Sequence, residues 1–186
     1  MDDAFATLGL ERRLTLDDQA IESAWRELGA ALHPDQDQGD AEKAAAVNQA
    51  YQALRSPARR LRHWLELHEA GLDRQTAITP DMMALFSEVG AVLNEADEVL
   101  KKRAAASSAL AKALLAEAEI GAQQKLQALL GRLGREKATA LDSFPAFETA
   151  ASESDFVAAR AAAGRLGFLE KWETQVQERL MSLIAG

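Results

Sequence analysis

The sequence predicts an all-α protein, on three observations. Of 186 residues 39 are alanine, only four are proline, and the ordered apolar positions recur at three- and four-residue steps with no alternating strand pattern. Helix starts are marked. Asp17 precedes a run to Leu32, Asp40 a run to Arg55, and Ser56-Pro57 supplies a cap and a first-position proline for a run ending near Gly71. On the first run Ile21, Trp25, Leu28 and Leu32 form one apolar stripe, answered on the second by Ala44, Val47, Tyr51 and Leu54. These stripes predict an antiparallel helical hairpin, with the polar stretch from His33 to Gly39 as its turn.

Between Ala70 and Thr79 the apolar period breaks, and Thr79-Pro80 is another cap-plus-proline start. The expected organisation is an N-terminal domain over residues 1–70, a linker over 71–79 and a second helical domain over 80–186. Ser143-Phe144-Pro145 must end a helix, because proline removes a donor and crowds the preceding turn. The last helix is expected from about Ser154, with Leu169, Trp172, Val176, Leu180 and Leu183 as its stripe. The second domain therefore reads as an elongated three-helix bundle. One helix from Ala104 to Leu141 would reach about 57 Å at about 1.5 Å per residue, so the segment is either a long hairpin arm or broken at Gly121, Gly131 and Gly134.

Composition excludes several functions. Without cysteine the chain offers no disulfide, thiolate nucleophile or Cys-based metal site. Twenty-one basic against 29 acidic residues give a net charge of -8, which argues against a phosphate-neutralising surface and so against nucleic acid. Met1-Asp2-Asp3 lacks the basic start of a secretory leader, and no run approaches the roughly 18 apolar residues of a membrane span. A cytoplasmic protein without membrane attachment is expected. Of the three histidines, His63 and His68 are five apart, about 140° around a helix at about 100° per residue, which does not suit a metal pair. With no Gly-rich phosphate loop or catalytic triad pattern, the reading is no enzyme and no cofactor.

The informative tripeptide is His33-Pro34-Asp35 in the hairpin turn. Taken alone, His33 and Asp35 could simply cap helix ends. Their setting says more: Trp25-Arg26-Glu27-Leu28 comes before, and Asn48-Gln49-Ala50-Tyr51-Gln52-Ala53-Leu54 follows on the next helix. The arrangement resembles the J-domain of DnaJ-type co-chaperones over roughly Asp2 to Leu67. The resemblance implies contact with the ATPase domain of a DnaK-type chaperone through His33, Pro34 and Asp35, assisted by Arg26. No chemistry would take place on this chain. Physically, proline stiffens the turn while imidazole and carboxylate project where they can exchange polar contacts with a partner.

Three passages are similar to a narrower family, the HscB-type co-chaperones of iron–sulfur cluster assembly. They are Phe5-Ala6-Thr7-Leu8-Gly9-Leu10, the stretch from Val47 to Pro57 with Arg60 and Leu65-Glu66-Leu67-His68, and Arg165-Leu166-Gly167-Phe168-Leu169-Glu170-Lys171. Ordinary DnaJ proteins continue into a Gly/Phe-rich linker or zinc-binding cysteines, and neither is present; without added cysteines no zinc module is implied either. The family resemblance implies a J-domain and an elongated bundle in an L-like arrangement, with a DnaK/HscA-type chaperone and the iron–sulfur scaffold as partners. In the second domain Met82, Met83, Phe86 and Phe168 match the positions of the family's client contact.

The sequence also departs from the family. The second helix has Glu22, Arg26, Glu27, Ala30 and Ala31 where the family offers a basic face, and Gln36 stands where a lysine usually follows the tripeptide. Ser87, Gly90 and Asn94 replace expected carboxylates near the client patch, with Glu88, Glu95 and Asp97 nearby. The chain between Asp97 and Phe144 is longer than the family's and suggests an antiparallel coiled arm. The alternative is an interaction adaptor whose hairpin is weakened and whose client is not the scaffold. Its acidic second helix favours that reading; its intact His33-Pro34-Asp35 favours the co-chaperone.

Overall fold

The computed structural model describes residues 2–32, 41–71 and 79–185. Among them the chain forms α1 (Ala4–Thr7), α2 (Asp18–Ala31), α3 (Ala41–Leu54), α4 (Pro57–Leu67), α5 (Pro80–Ala105), α6 (Ala109–Leu141), α7 (Phe144–Ala151) and α8 (Val157–Ile184), and no strand. The expected all-α class is the observed one. No helix among the described residues is long and apolar enough to cross a membrane.

The caps act at the atoms the sequence suggested. The Asp17 carboxylate accepts from the Gln19 amide at 3.0 Å, and Ser56 Oγ accepts from the Arg59 amide at 3.2 Å beside Pro57. Thr79 caps α5 without a side-chain bond to the helix, so Pro80 carries that start. The last helix begins at Val157, where the Asp155 carboxylate accepts from its amide, three residues later than expected from Ser154.

Packing divides the chain into two compact units, and the first is discontinuous: Met1–Thr76 with Ala140–Gly167. Its core joins Phe5, Ile21, Leu54, Leu61 and Trp64 to Phe144, Phe147 and Leu166 from far along the chain. Polar contacts fasten the same junction. The Glu148 carboxylate accepts from the Leu14 amide, and Arg160 Nη1 donates to the Ala70 carbonyl at 2.6 Å. Arg62 lies so close to Gly167 that a Cβ there would meet its Nη2 at 2.6 Å. Gly167 thus leaves room for the guanidinium. Pro145, expected only as a stop, also opens α7, since a first-turn proline loses no helical bond.

The second unit is Ala77–Thr139 with Phe168–Gly186. Glu88 pairs with Arg132 and Glu95 with Lys125, so α5 and α6 run antiparallel. Asp97 bonds Arg179 and Arg103 bonds the Ser182 and Leu183 carbonyls, so α8 runs parallel to α5. The result is the expected three-helix bundle, cored by Leu85, Val89, Leu126, Leu133, Trp172 and Val176.

The expected alternative of a break at Gly121, Gly131 and Gly134 is not observed. Helix α6 passes through all three without interruption. Each glycine costs about 1 kcal/mol against alanine, while Ala122, Leu126, Leu129 and Leu133 bury between them on the core face.

Because Phe147 sits in the core of α1–α4, Phe147→Ala is expected to destabilise the first unit by about 3–5 kcal/mol. Exposed Val157→Ala should stay within about 0.5 kcal/mol. Urea unfolding followed by tryptophan fluorescence measures both.

Candidate functional site

The tripeptide His33-Pro34-Asp35 lies outside the described residues, as does Gln36. What the structure describes is the frame that carries the turn. Helix α2 ends with Leu32 as its C-cap, and α3 begins at Ala41. Across the two helices Trp25 stacks on Tyr51 at 4.4 Å between ring centroids, and its Nε1–H donates to Asn48 Oδ1 at 2.8 Å. The Arg55 guanidinium covers Tyr51 at 5.5 Å. The ladder Trp25–Tyr51–Arg55 and the buried Ile21, Val47 and Leu54 register the helices either side of the turn. Sequence spacing found Trp25 and Tyr51 as stripe positions. Nothing in that spacing showed the bond to Asn48.

Buried polar groups hold the hairpin from behind. Arg60, almost wholly buried on α4, donates from Nη1 to the Leu16 carbonyl at 2.9 Å and from Nη2 to Asp18 Oδ1 at 3.3 Å, tying α4 to the start of α2. His63 accepts the Ala4 amide on Nε2 at 3.0 Å, tying α4 to α1. The sequence marked His63 only as unsuited to metal binding; its role here is structural.

Arg26 is the only basic residue of α2. It is exposed and paired with Glu22 one turn earlier. Such a surface pair is worth about 0–1 kcal/mol, so it can be exchanged for another carboxylate.

The client positions separate. Met82 is 7% exposed and belongs to the bundle core, whereas Met83 is 50% and Phe86 57% exposed. Adjacent helical residues point about 100° apart, which accounts for the split. Met82 therefore drops out of the surface patch expected from sequence. Trp172 links the others: its ring lies 6.1 Å from that of Phe86 and 5.7 Å from that of Phe168, joining α5 and α8 in one aromatic face. The three nearby acids are engaged within the unit, Glu88 by Arg132, Glu95 by Lys125 and Asp97 by Arg179.

The DnaJ domain family model matches residues 3–63, the stretch holding the hairpin and tripeptide. A co-chaperone protein HscB homolog of Bordetella pertussis is 34% identical over 145 residues, covering 72% of this chain and 81% of that one. The chain belongs to the HscB co-chaperone family. An HscB homolog of Azoarcus is 29% identical over 97% of this chain and 95% of its own length. The solved structure of chaperone HscB from Vibrio cholerae superimposes with a TM-score of 0.57 at 21% identity, covering 95% of this chain and 96% of that one. Human co-chaperone protein HscB gives 0.58 at 17% identity over 96% and 82%, so these two HscB structures share the fold.

One titration is tied to the N-terminal frame. Burial pushes the Asp3 carboxyl up, but the Arg12 bond and the Phe5 and Ala6 amides outweigh it and hold Asp3 below the ordinary aspartate value. A lowered folded value contributes stability above the unfolded pKa and loses it as pH falls through the folded one. Below about pH 4, wild type should therefore lose urea resistance more steeply than Asp3→Asn. Parallel slopes for the two proteins would contradict the assignment.

Proposed function

We propose that this HscB-family protein binds the ATPase domain of a DnaK/HscA-type chaperone through His33, Pro34 and Asp35, with Arg26 on α2 assisting. It stimulates ATP hydrolysis there and delivers a client, the iron–sulfur cluster scaffold. The observation that carries this reading is the DnaJ domain match over residues 3–63, which encloses an intact tripeptide in the turn of the hairpin. In this reading residues 1–70 act as the J-domain, 71–79 as linker and 80–186 as the client-binding part, and the protein works in the cytoplasm. The chain's contribution is recognition. The Trp25–Tyr51 stack fixes α2 against α3, so the two helices that flank the tripeptide need little ordering at the moment of binding.

Client contact is proposed at Met83, Phe86 and Phe168. An exposed methionine one turn from exposed Phe86, whose ring meets Trp172 as does that of Phe168, suits an adaptable apolar interface. With Glu88, Glu95 and Asp97 already paired inside the unit, apolar contact supplies most of that affinity.

A specific observation favours the second reading, an adaptor with a weakened hairpin. Any chaperone carboxylate must displace Glu22 from Arg26 and approach its negative charge.

Single-turnover ATP hydrolysis by the DnaK-type chaperone separates the two readings. Wild type should accelerate hydrolysis, His33→Gln should abolish the acceleration with an unchanged melting temperature, and Glu22→Gln should lower the concentration for half-maximal stimulation by about two- to fivefold. Equal, negligible rates for wild type and His33→Gln would favour the adaptor.

A further inference from the structure

One of the bonds that hold α1 requires a neutral histidine. The first-turn amides of a helix have no partner inside it. Here the Asp3 carboxylate accepts those of Phe5 and Ala6, and His63 Nε2 accepts that of Ala4 at 3.0 Å. Accepting on Nε2 puts the neutral ring's proton on Nδ1, which lies 3.8 Å from Glu66 Oε2. The ring is buried and stacked on Phe5 at 5.7 Å between centroids, and Phe5 is itself buried in the core of the unit. Beside the ring is a cavity of about 190 Å³, lined by Ala4 and Thr7 of α1 and by Gln49, Ala50 and Ala53 of α3.

We propose that His63 is a proton-operated latch for α1: as pH falls through the imidazole range, Nε2 stops accepting the Ala4 amide, its new N–H turns to Asp3, and α1 loosens from α3 and α4. One proton from solvent is enough, because a protonated Nε2 can only donate and would face the Ala4 N–H donor to donor. Asp3 Oδ1 lies 3.9 Å from Nε2, and it is the oxygen on which the Phe5 and Ala6 amides converge. Serving the ring draws it from them, so either way the first turn of α1 loses a partner. The cavity gives the ring room for the move.

The charges around the ring decide how readily the latch opens. Asp3, whose carboxyl titrates below the ordinary aspartate value, is ionised throughout the imidazole range. Glu66 faces Nδ1 and Asp2 lines the cavity, so three acids favour the charged ring. Burial opposes it, as do Arg12, bonded to Asp3, and exposed Arg59, one turn before His63 on α4. Helix α3 lines the cavity without a titratable side chain; Glu42 and Lys43, of opposite charge, stand one turn before its Ala46. The latch involves neither the tripeptide nor Met83 and Phe86, so it stands independently of the function proposed above.

Nuclear magnetic resonance of the full labelled chain between about pH 8 and pH 5 tests it. The His63 ring and the Ala4 amide should titrate with one midpoint. Across it the exchange protection of the Thr7 and Leu8 amides, which close the turns of α1, should fall about tenfold. His63→Gln keeps an acceptor near the Nε2 position that takes no proton, so its Ala4 amide and α1 protection should be the same at both ends of the range. Glu66→Gln should lower the shared midpoint. The wild-type titration decides by itself, whatever the folding of His63→Gln. The proposal is overturned if the ring titrates while Ala4 and α1 do not respond, if the ring stays neutral down to about pH 5, or if His63→Gln repeats the wild-type pH dependence.

Discussion

The first unit depends on apolar side chains that arrive from the far end of the chain. Helices α1–α4 form a small set of short elements, and sets of that size are marginal because too little of their surface is buried. Phe144, Phe147 and Leu166 enter the same core as Phe5, Leu61 and Trp64, so the hairpin is supported by a segment that begins 90 positions after its last residue, Leu54. Glu148 on the Leu14 amide and Arg160 on the Ala70 carbonyl satisfy backbone groups at the same junction. The relative placement of α2 and α3 depends on this shared core.

That support has a functional meaning. Recognition by a turn is effective when the turn is held before the partner arrives, since every rotamer ordered on binding lowers affinity. Arg60, His63 and the Trp25–Tyr51 stack each link one helix of the unit to another, and Arg26 stands on an exposed face of α2. Under the proposed function the Glu22–Arg26 pair would moderate rather than prevent an encounter. An exposed ion pair of small worth is easily exchanged, yet the acid remains near any incoming carboxylate.

Much of this was legible in the sequence because helices write their boundaries and inner faces locally. Asp17, Ser56 and Pro80 mark starts, and the stripes through Ile21, Val47 and Trp172 name core residues that the structure buries. Long-range partnerships were not legible. No spacing tells that Phe144 and Phe147 belong with Trp64, that His63 receives the Ala4 amide, or that Glu148 reaches Leu14, because these contacts join residues 59 to 134 positions apart or more loosely patterned still. The glycines of α6 left a choice between a long arm and a break: their local propensity points to a break, burial of Leu126 and Leu133 between them overrides it, and the long helix is the alternative observed. At the proposed client face the family resemblance named Met82 and Met83 together; adjacent helical positions cannot share one interior, and the structure assigns Met82 to the core and Met83 to the surface.

The central claim, a J-domain hairpin that docks on a chaperone, is tested most directly by following the backbone amide resonances of the labelled protein as the ATPase domain of a DnaK-type chaperone is added. Shifts should gather in residues 33–40 and on the α2 face around Arg26, leave α5 and α6 unmoved, and disappear in His33→Gln. No shifts in that region at saturating chaperone, or identical shifts in His33→Gln, would contradict it.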